Sequence, residues 1–159
     1  MWAVTLLLLM SLWEGQTPTD PFVDFENVPW PVRLCLNADR AHYRVDRRMN
    51  PFYLRGDFNG DSHPDYAVLV EETASGKKGI AVCFGGLPSE LHVLAAGTPF
   101  AMEGNRKVDD FGQFFDVWSV VEKGKLSPRG EGIYLQRAEA GGGLILWDGH
   151  RFLWEQWGI

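Results

Sequence analysis

Oxygen-bearing side chains fall at positions 1, 3, 5 and 9 of the nine-residue stretch Asp57-Phe58-Asn59-Gly60-Asp61-Ser62-His63-Pro64-Asp65. Apolar, strand-like runs flank it, Phe52-Tyr53-Leu54 before and Tyr66-Ala67-Val68-Leu69-Val70 after. Two strands joined by so acidic a turn must crowd several carboxylates together. Crowded Asp and Asn oxygens are what a hard cation such as Ca²⁺ takes as ligands, at about 2.3–2.6 Å. By position, Asp57, Asn59 and Asp61 would supply side-chain oxygens, His63 its backbone carbonyl rather than its imidazole, and Asp65 the closing carboxylate. Gly60 permits a sharp bend between ligands, and Pro64 directs the chain into the following strand. The carboxylates repel one another when the site is empty, and a divalent ion removes that repulsion. The competing reading is a metal-free turn, since Asp, Asn and Gly favour turns for purely local reasons.

The rest of the chain reads as mostly β (α+β): a mainly antiparallel sheet of about seven or eight short strands with one short N-terminal helix, from about Pro31 to Ala41. Tyr66–Glu72 and Ile80–Phe84, separated by the polar tip Thr73–Gly79, form an expected hairpin. Asp148-Gly149 between Trp147 and Arg151–Trp157 predicts a second, on a type I′ turn. In that last strand Phe152 and Trp154 share one face and Leu153, Glu155 and Trp157 the other, so one set belongs to the core. Residues 97–112 show no readable period, and Gly141-Gly142-Gly143 reads as a flexible connection.

Gly56-Asp57-Phe58-Asn59-Gly60-Asp61, then Pro64-Asp65 and Ala67-Val68-Leu69, resembles the FG-GAP/VCBS-type repeat. The resemblance implies a calcium loop joining two antiparallel strands, with Asp57, Asn59, Asp61 and Asp65 as side-chain ligands. The whole chain is also similar to small bacterial exported proteins that carry a leader, one such loop and a C-terminal aromatic hairpin like Leu146–Phe152. Two departures stand out. Ser62 occupies a loop position where the family has Gly, and if positive φ is needed there a side chain costs about 1 kcal/mol. The loop also occurs once, so the expectation is a single small sheet domain and not a full propeller.

Trp2–Trp13 is almost wholly apolar and too short to span a bilayer, so residues 1–15 read as a signal peptide, 16–28 as a linker and 29–159 as one calcium-loop β domain. The expected location is secreted or periplasmic, with no membrane span once the leader is removed. Cys35 and Cys83 are either two buried thiols or, in an oxidising compartment, a disulfide. A net charge of −6 argues against nucleic acid as partner. His42, His63, His92 and His150 lack zinc-site spacing, and no Gly-x-Ser-x-Gly, P-loop or Cys-x-x-Cys is present. Asp109-Asp110 and Glu139 read as solvated surface charge.

The expected function is therefore a non-enzymatic, calcium-binding interaction module with a structural Ca²⁺ site and a protein or polysaccharide partner. The alternatives are a secreted or periplasmic hydrolase with unassigned acids, and a carbohydrate-binding or inhibitor domain using the C-terminal tryptophans.

Overall fold

A computed structural model describes residues 27–157, apart from positions 38, 40, 87, 88, 103, 105 and 113. The expected signal peptide, and the linker up to residue 26, lie outside the described residues. Helix α1 (Trp30–Leu36) comes first. The strands β1 (Tyr43–Val45), β2 (Tyr53–Gly56), β3 (Asp65–Glu72), β4 (Lys78–Phe84) and β5 (Glu90–Ala95) follow. Then come β6 (Phe100–Ala101), β7 (Lys107–Val108), β8 (Val117–Val121), β9 (Gly132–Arg137), β10 (Gly141–Trp147) and β11 (Phe152–Trp157).

The architecture is mostly β with a single short helix among the described residues, and every strand pairing is antiparallel. The first sheet has the order β1-β3-β4-β5, with β2 sharing the edge of β3 that β1 also uses. The second runs β11-β10-β9-β8, and β6 and β7 form a separate small hairpin. Neither larger sheet closes on itself.

Among the described residues, eleven strands replace the seven or eight expected. β6 and β7 have two residues each, too few to display an alternating pattern, and they occupy the stretch that showed no period. Gly141-Gly142-Gly143 is not a loose connection but the first half of β10. A Cβ on Gly143 would stand 2.2 Å from the Trp154 ring, and one on Gly142 would stand 2.9 Å from the Tyr134 hydroxyl. Those positions lack side chains because neighbouring rings fill the space.

α1 is shorter than expected. Val32 and Leu36, one turn apart, are buried, while Trp30 and Leu34 face outward, with the Arg33 guanidinium over the Trp30 ring. After Leu36 the chain enters tight turns, Asp39 N–H to Leu36 O and His42 N–H to Asp39 O, instead of continuing the helix.

β3 and β4 carry few polar residues because the first sheet is covered on both faces. Ala67, Leu69, Ile80, Val82 and Phe84 pack toward Trp118, Ile133, Leu135, Ile145 and Phe152 of the second sheet. Val68, Val70, Ala81 and Cys83 pack under α1 with Val28, Val32 and Leu36. Strands buried on both faces read as continuous apolar runs. Cys35 of α1 and Cys83 of β4 are joined in a disulfide, Cα atoms 5.8 Å apart, which resolves the pairing that the sequence left open and ties the helix to the sheet.

In the C-terminal hairpin the turn sits one residue later than Asp-Gly spacing predicts. Asp148 N–H bonds to Arg151 O, Gly149 takes φ +106° at the first central position, and Asp148 Oδ1 accepts the N–H groups of His150 and Arg151. Phe152 and Trp154 are the core-facing set, while Trp157 stays exposed against Tyr134.

Candidate metal-binding loop

The loop between β2 and β3 is organised by its own acids. Asp57 Oδ1 accepts the Gly60 N–H at 2.8 Å and Oδ2 the Ser62 N–H at 3.0 Å. Asn59 Oδ1 accepts from Asp61 N–H, and Asp61 Oδ1 from His63 N–H. Asn59 Nδ2 donates to Asp61 Oδ2 at 2.9 Å. Gly60 adopts φ +80° and Ser62 φ +70°. The position where the resembling family places Gly thus does require the left-handed region, and Ser62 bears that strain.

Asp65 is placed differently from its neighbours. It is fully buried, with Oδ2 accepting the N–H groups of Phe58 (2.7 Å) and Asn59 (3.2 Å) and Oδ1 that of Gly85 (2.7 Å). Its carboxylate gathers the loop backbone and the end of β4 onto the start of β3. Burial pushes this carboxyl up to about 6, against the three amide donors that favour the charged form, and the nearby charge of Asp61 adds to the rise. Asp61 shows the opposite balance. Desolvation pulls its carboxyl upward, but the His63 N–H, the Asn59 amide and the His63 ring together outweigh that and hold it below the ordinary range.

The loop is also the joint between the two sheets. Phe58 is buried in the inter-sheet core. Asp57 N–H donates to Glu131 Oε2 at 2.6 Å, and Glu131 N–H returns a bond to Asp57 O at 2.7 Å. Gly60 lies so close to the 129–130 backbone that a Cβ would fall 2.0 Å from Arg129 O. A Cβ on Gly130 would meet the carbonyl oxygens of Asp57 and Phe58 at 2.6 Å. Beside the loop opens a cleft of about 400 Å³, with Asp57, Ser62, His63 and Glu131 among its walls. Sequence reasoning missed Glu131. It lies 74 residues from Asp57 with no spacing to link them, and the one local hint is the adjacent Gly130, whose missing side chain allows the approach.

The donors are all hard: carboxylates of Asp57, Asp61 and Glu131 and the amide oxygen of Asn59. That chemistry fits calcium or magnesium and not a soft metal. Among the described residues, however, no three or more His, Cys, Asp and Glu side chains stand grouped to hold an ion. Asp65, expected as the closing ligand, directs its oxygens onto backbone amides.

Other expected features resolve into local partnerships. Lys77 binds Asp109, and Asp110 Oδ1 accepts the N–H groups of Lys78 and Gly112. Glu139 sits exposed at φ +60° in the β9–β10 turn. His92 has its ring among Phe84, Trp147 and Phe152 at centroid distances of 4.6–5.6 Å. Burial lowers its pKa, and Glu90, 3.1 Å from Nε2, opposes the shift. No family model, curated protein or solved structure matches this chain.

Proposed function

We propose that the protein is an exported, non-enzymatic interaction module in which the Asp57–Asp65 loop takes up calcium as a structural staple. The observation that carries this reading is the loop's position. Its buried Phe58 and its reciprocal bonds with Glu131 make it the hinge of the two sheets, so an ion that stiffens the loop also fixes one sheet against the other. Asp57, Asn59, Asp61 and the His63 carbonyl would hold the ion, with Asp65 orienting the loop backbone and Glu131 orienting Asp57. A bound Ca²⁺ supplies positive charge that offsets carboxylate repulsion; it performs no chemistry on a substrate. The disulfide supports an oxidising compartment and hence export. Commitment of Asp109, Asp110 and Asp148 to local partners weighs against a hydrolase built on them. Inward packing of Trp147 and Trp154 weighs against a C-terminal sugar platform.

An ion bound only to the folded state adds RT ln(1 + [L]/Kd), about 2.7 kcal/mol at roughly 100 times Kd. For a chain of this size that raises the melting temperature by about 5–10 °C. The expected result is a higher melting temperature in calcium than in chelator, with Asp61→Ala removing most of the difference. Identical melting in calcium and in chelator would refute the metal reading.

A further inference from the structure

One open edge of each sheet borders the same groove. β5 is an outer strand of the first sheet and β11 an outer strand of the second. Leu91–Leu94 of β5 and the His150–Trp154 segment line a groove of about 610 Å³, together with Pro99–Met102 and Lys107 of the β6–β7 hairpin.

Register identifies which backbone groups are unpaired there. Glu72 N–H bonds to Lys77 O, so the hydrogen-bonded pairs of β3 and β4 are those in step with it, such as Val68–Ala81 and Tyr66–Cys83. Ile80, Val82 and Phe84 therefore bond toward β5, where they meet Leu94, His92 and Glu90. That leaves the N–H and C=O of Leu91 and Val93 pointing away from the sheet. In the second sheet Asp148 N–H bonds to Arg151 O, and the same count leaves Phe152 and Trp154 of β11 with outward backbone groups. All four residues line the groove.

Leu94, Phe100, Met102 and Phe152 are buried in the groove's floor. Among the described residues its lining carries the basic side chains Lys107 and Arg151 and no Asp or Glu, although the whole chain carries −6. Asp148, 3.6 Å from Arg151 Nε, offsets part of that charge, and Glu90 faces His92, so among the described residues Lys107 is the main cation of the groove with no ion-pair partner.

We propose that this groove binds an extended protein segment, which adds as a strand to the edge of β5, sets alternate apolar side chains on the Leu94–Phe152 floor and directs an acidic side chain to Lys107. Outward amides and carbonyls two residues apart match the repeat of another strand, and main-chain pairing supplies affinity while the floor and the lysine supply selectivity. The proposal rests on the interaction-module reading but not on the calcium loop.

The probe is a blocked octapeptide of alternating valine and glutamate, measured by calorimetry against the full chain. Four comparisons are made: lysine replacing glutamate in the probe, N-methylation of every second probe amide, the Val93→Pro protein and the Lys107→Glu protein. Val93→Pro removes an outward N–H without breaking a bond to β4. Each change is expected to weaken binding by about tenfold or more. Both proteins should unfold in one cooperative thermal transition, which shows them to be folded whether or not calcium shifts it. No binding of the unmodified probe at about 1 mM overturns the proposal. Equal binding of the N-methylated probe excludes strand addition, and unchanged binding to a folded Val93→Pro protein excludes the β5 edge. A wild-type dimer that Val93→Pro makes monomeric assigns the edge to a second copy of the chain and overturns the partner named here. Binding that survives while calcium leaves melting unchanged refutes the calcium reading alone, and the converse result refutes this one alone.

Discussion

Asp65→Asn separates the two forces acting on the most buried acid of the loop. In the wild type one carboxylate serves three amides, Phe58 and Asn59 on Oδ2 and Gly85 on Oδ1. Asparagine keeps one acceptor oxygen, so its NH₂ must face a buried N–H group, at a cost of about 1–3 kcal/mol. Asparagine also cannot ionise. Displacement of the wild-type carboxyl from 3.8 to about 6 makes its charge worth about 3 kcal/mol against the fold at neutral pH. Because the folded state holds the proton more tightly than the unfolded chain, the carboxyl's contribution is fully present below about pH 3.8 and is lost as pH rises through about 6. At pH 4 the variant should therefore be less stable than the wild type by about 1–3 kcal/mol, and at pH 7 equal to it or more stable by up to about 2 kcal/mol. The assay is urea unfolding followed by tryptophan fluorescence, across that range and in chelator so that no metal contributes. A difference between the two proteins that stays flat with pH refutes the reasoning. A wild type that instead loses ground to the variant on acidification means that the three amides outweigh burial.

Three further outcomes are expected. Reduction of Cys35–Cys83, or their joint replacement by serine, releases a loop spanning a sequence separation of 48 and should cost about 4 kcal/mol, read as a fall in melting temperature; no fall would mean the tether constrains nothing. Ser62→Gly relieves a side chain held at φ +70° and should raise stability by about 1 kcal/mol in urea unfolding and enlarge the calcium response. Gly60→Ala combines φ +80° with a backbone oxygen 2.0 Å from the new Cβ, and should cost more than about 2 kcal/mol in the same assay and abolish the calcium response.

What could be read from the chain in advance divides along sequence separation. The Asp57–Asp65 loop, the β3–β4 hairpin and the C-terminal hairpin are written in residues that touch their near neighbours, so spacing reveals them. Even there the local code has limits: Asp148-Gly149 marks the right turn but the wrong centre, because Asp148 is the turn's first residue and caps it from there. Features made by distant encounters leave no such trace. Gly142 and Gly143 look like a flexible linker until Tyr134 and Trp154 occupy the space where their side chains would be. Glu131 looks like one more surface acid until the fold sets it against Asp57 N–H.

The same division explains the candidate site. Its donors were legible because a nine-residue turn carries them, whereas its mechanical role was not, because that role belongs to contacts with residues 129–131. Those contacts couple a local motif to the whole domain. If the loop only decorated one hairpin, loss of an ion would be felt by β2 and β3 alone. Since Phe58 lies in the inter-sheet core and Gly60 rests on Arg129, loosening the loop must loosen the packing of one sheet on the other. A calcium effect should then appear in global unfolding and not only in local exchange near Asp57. Amide exchange slowed by calcium in β9 and β10 as well as in β2 and β3 would distinguish a staple from an ornament, and slowing confined to β2 and β3 would refute the hinge.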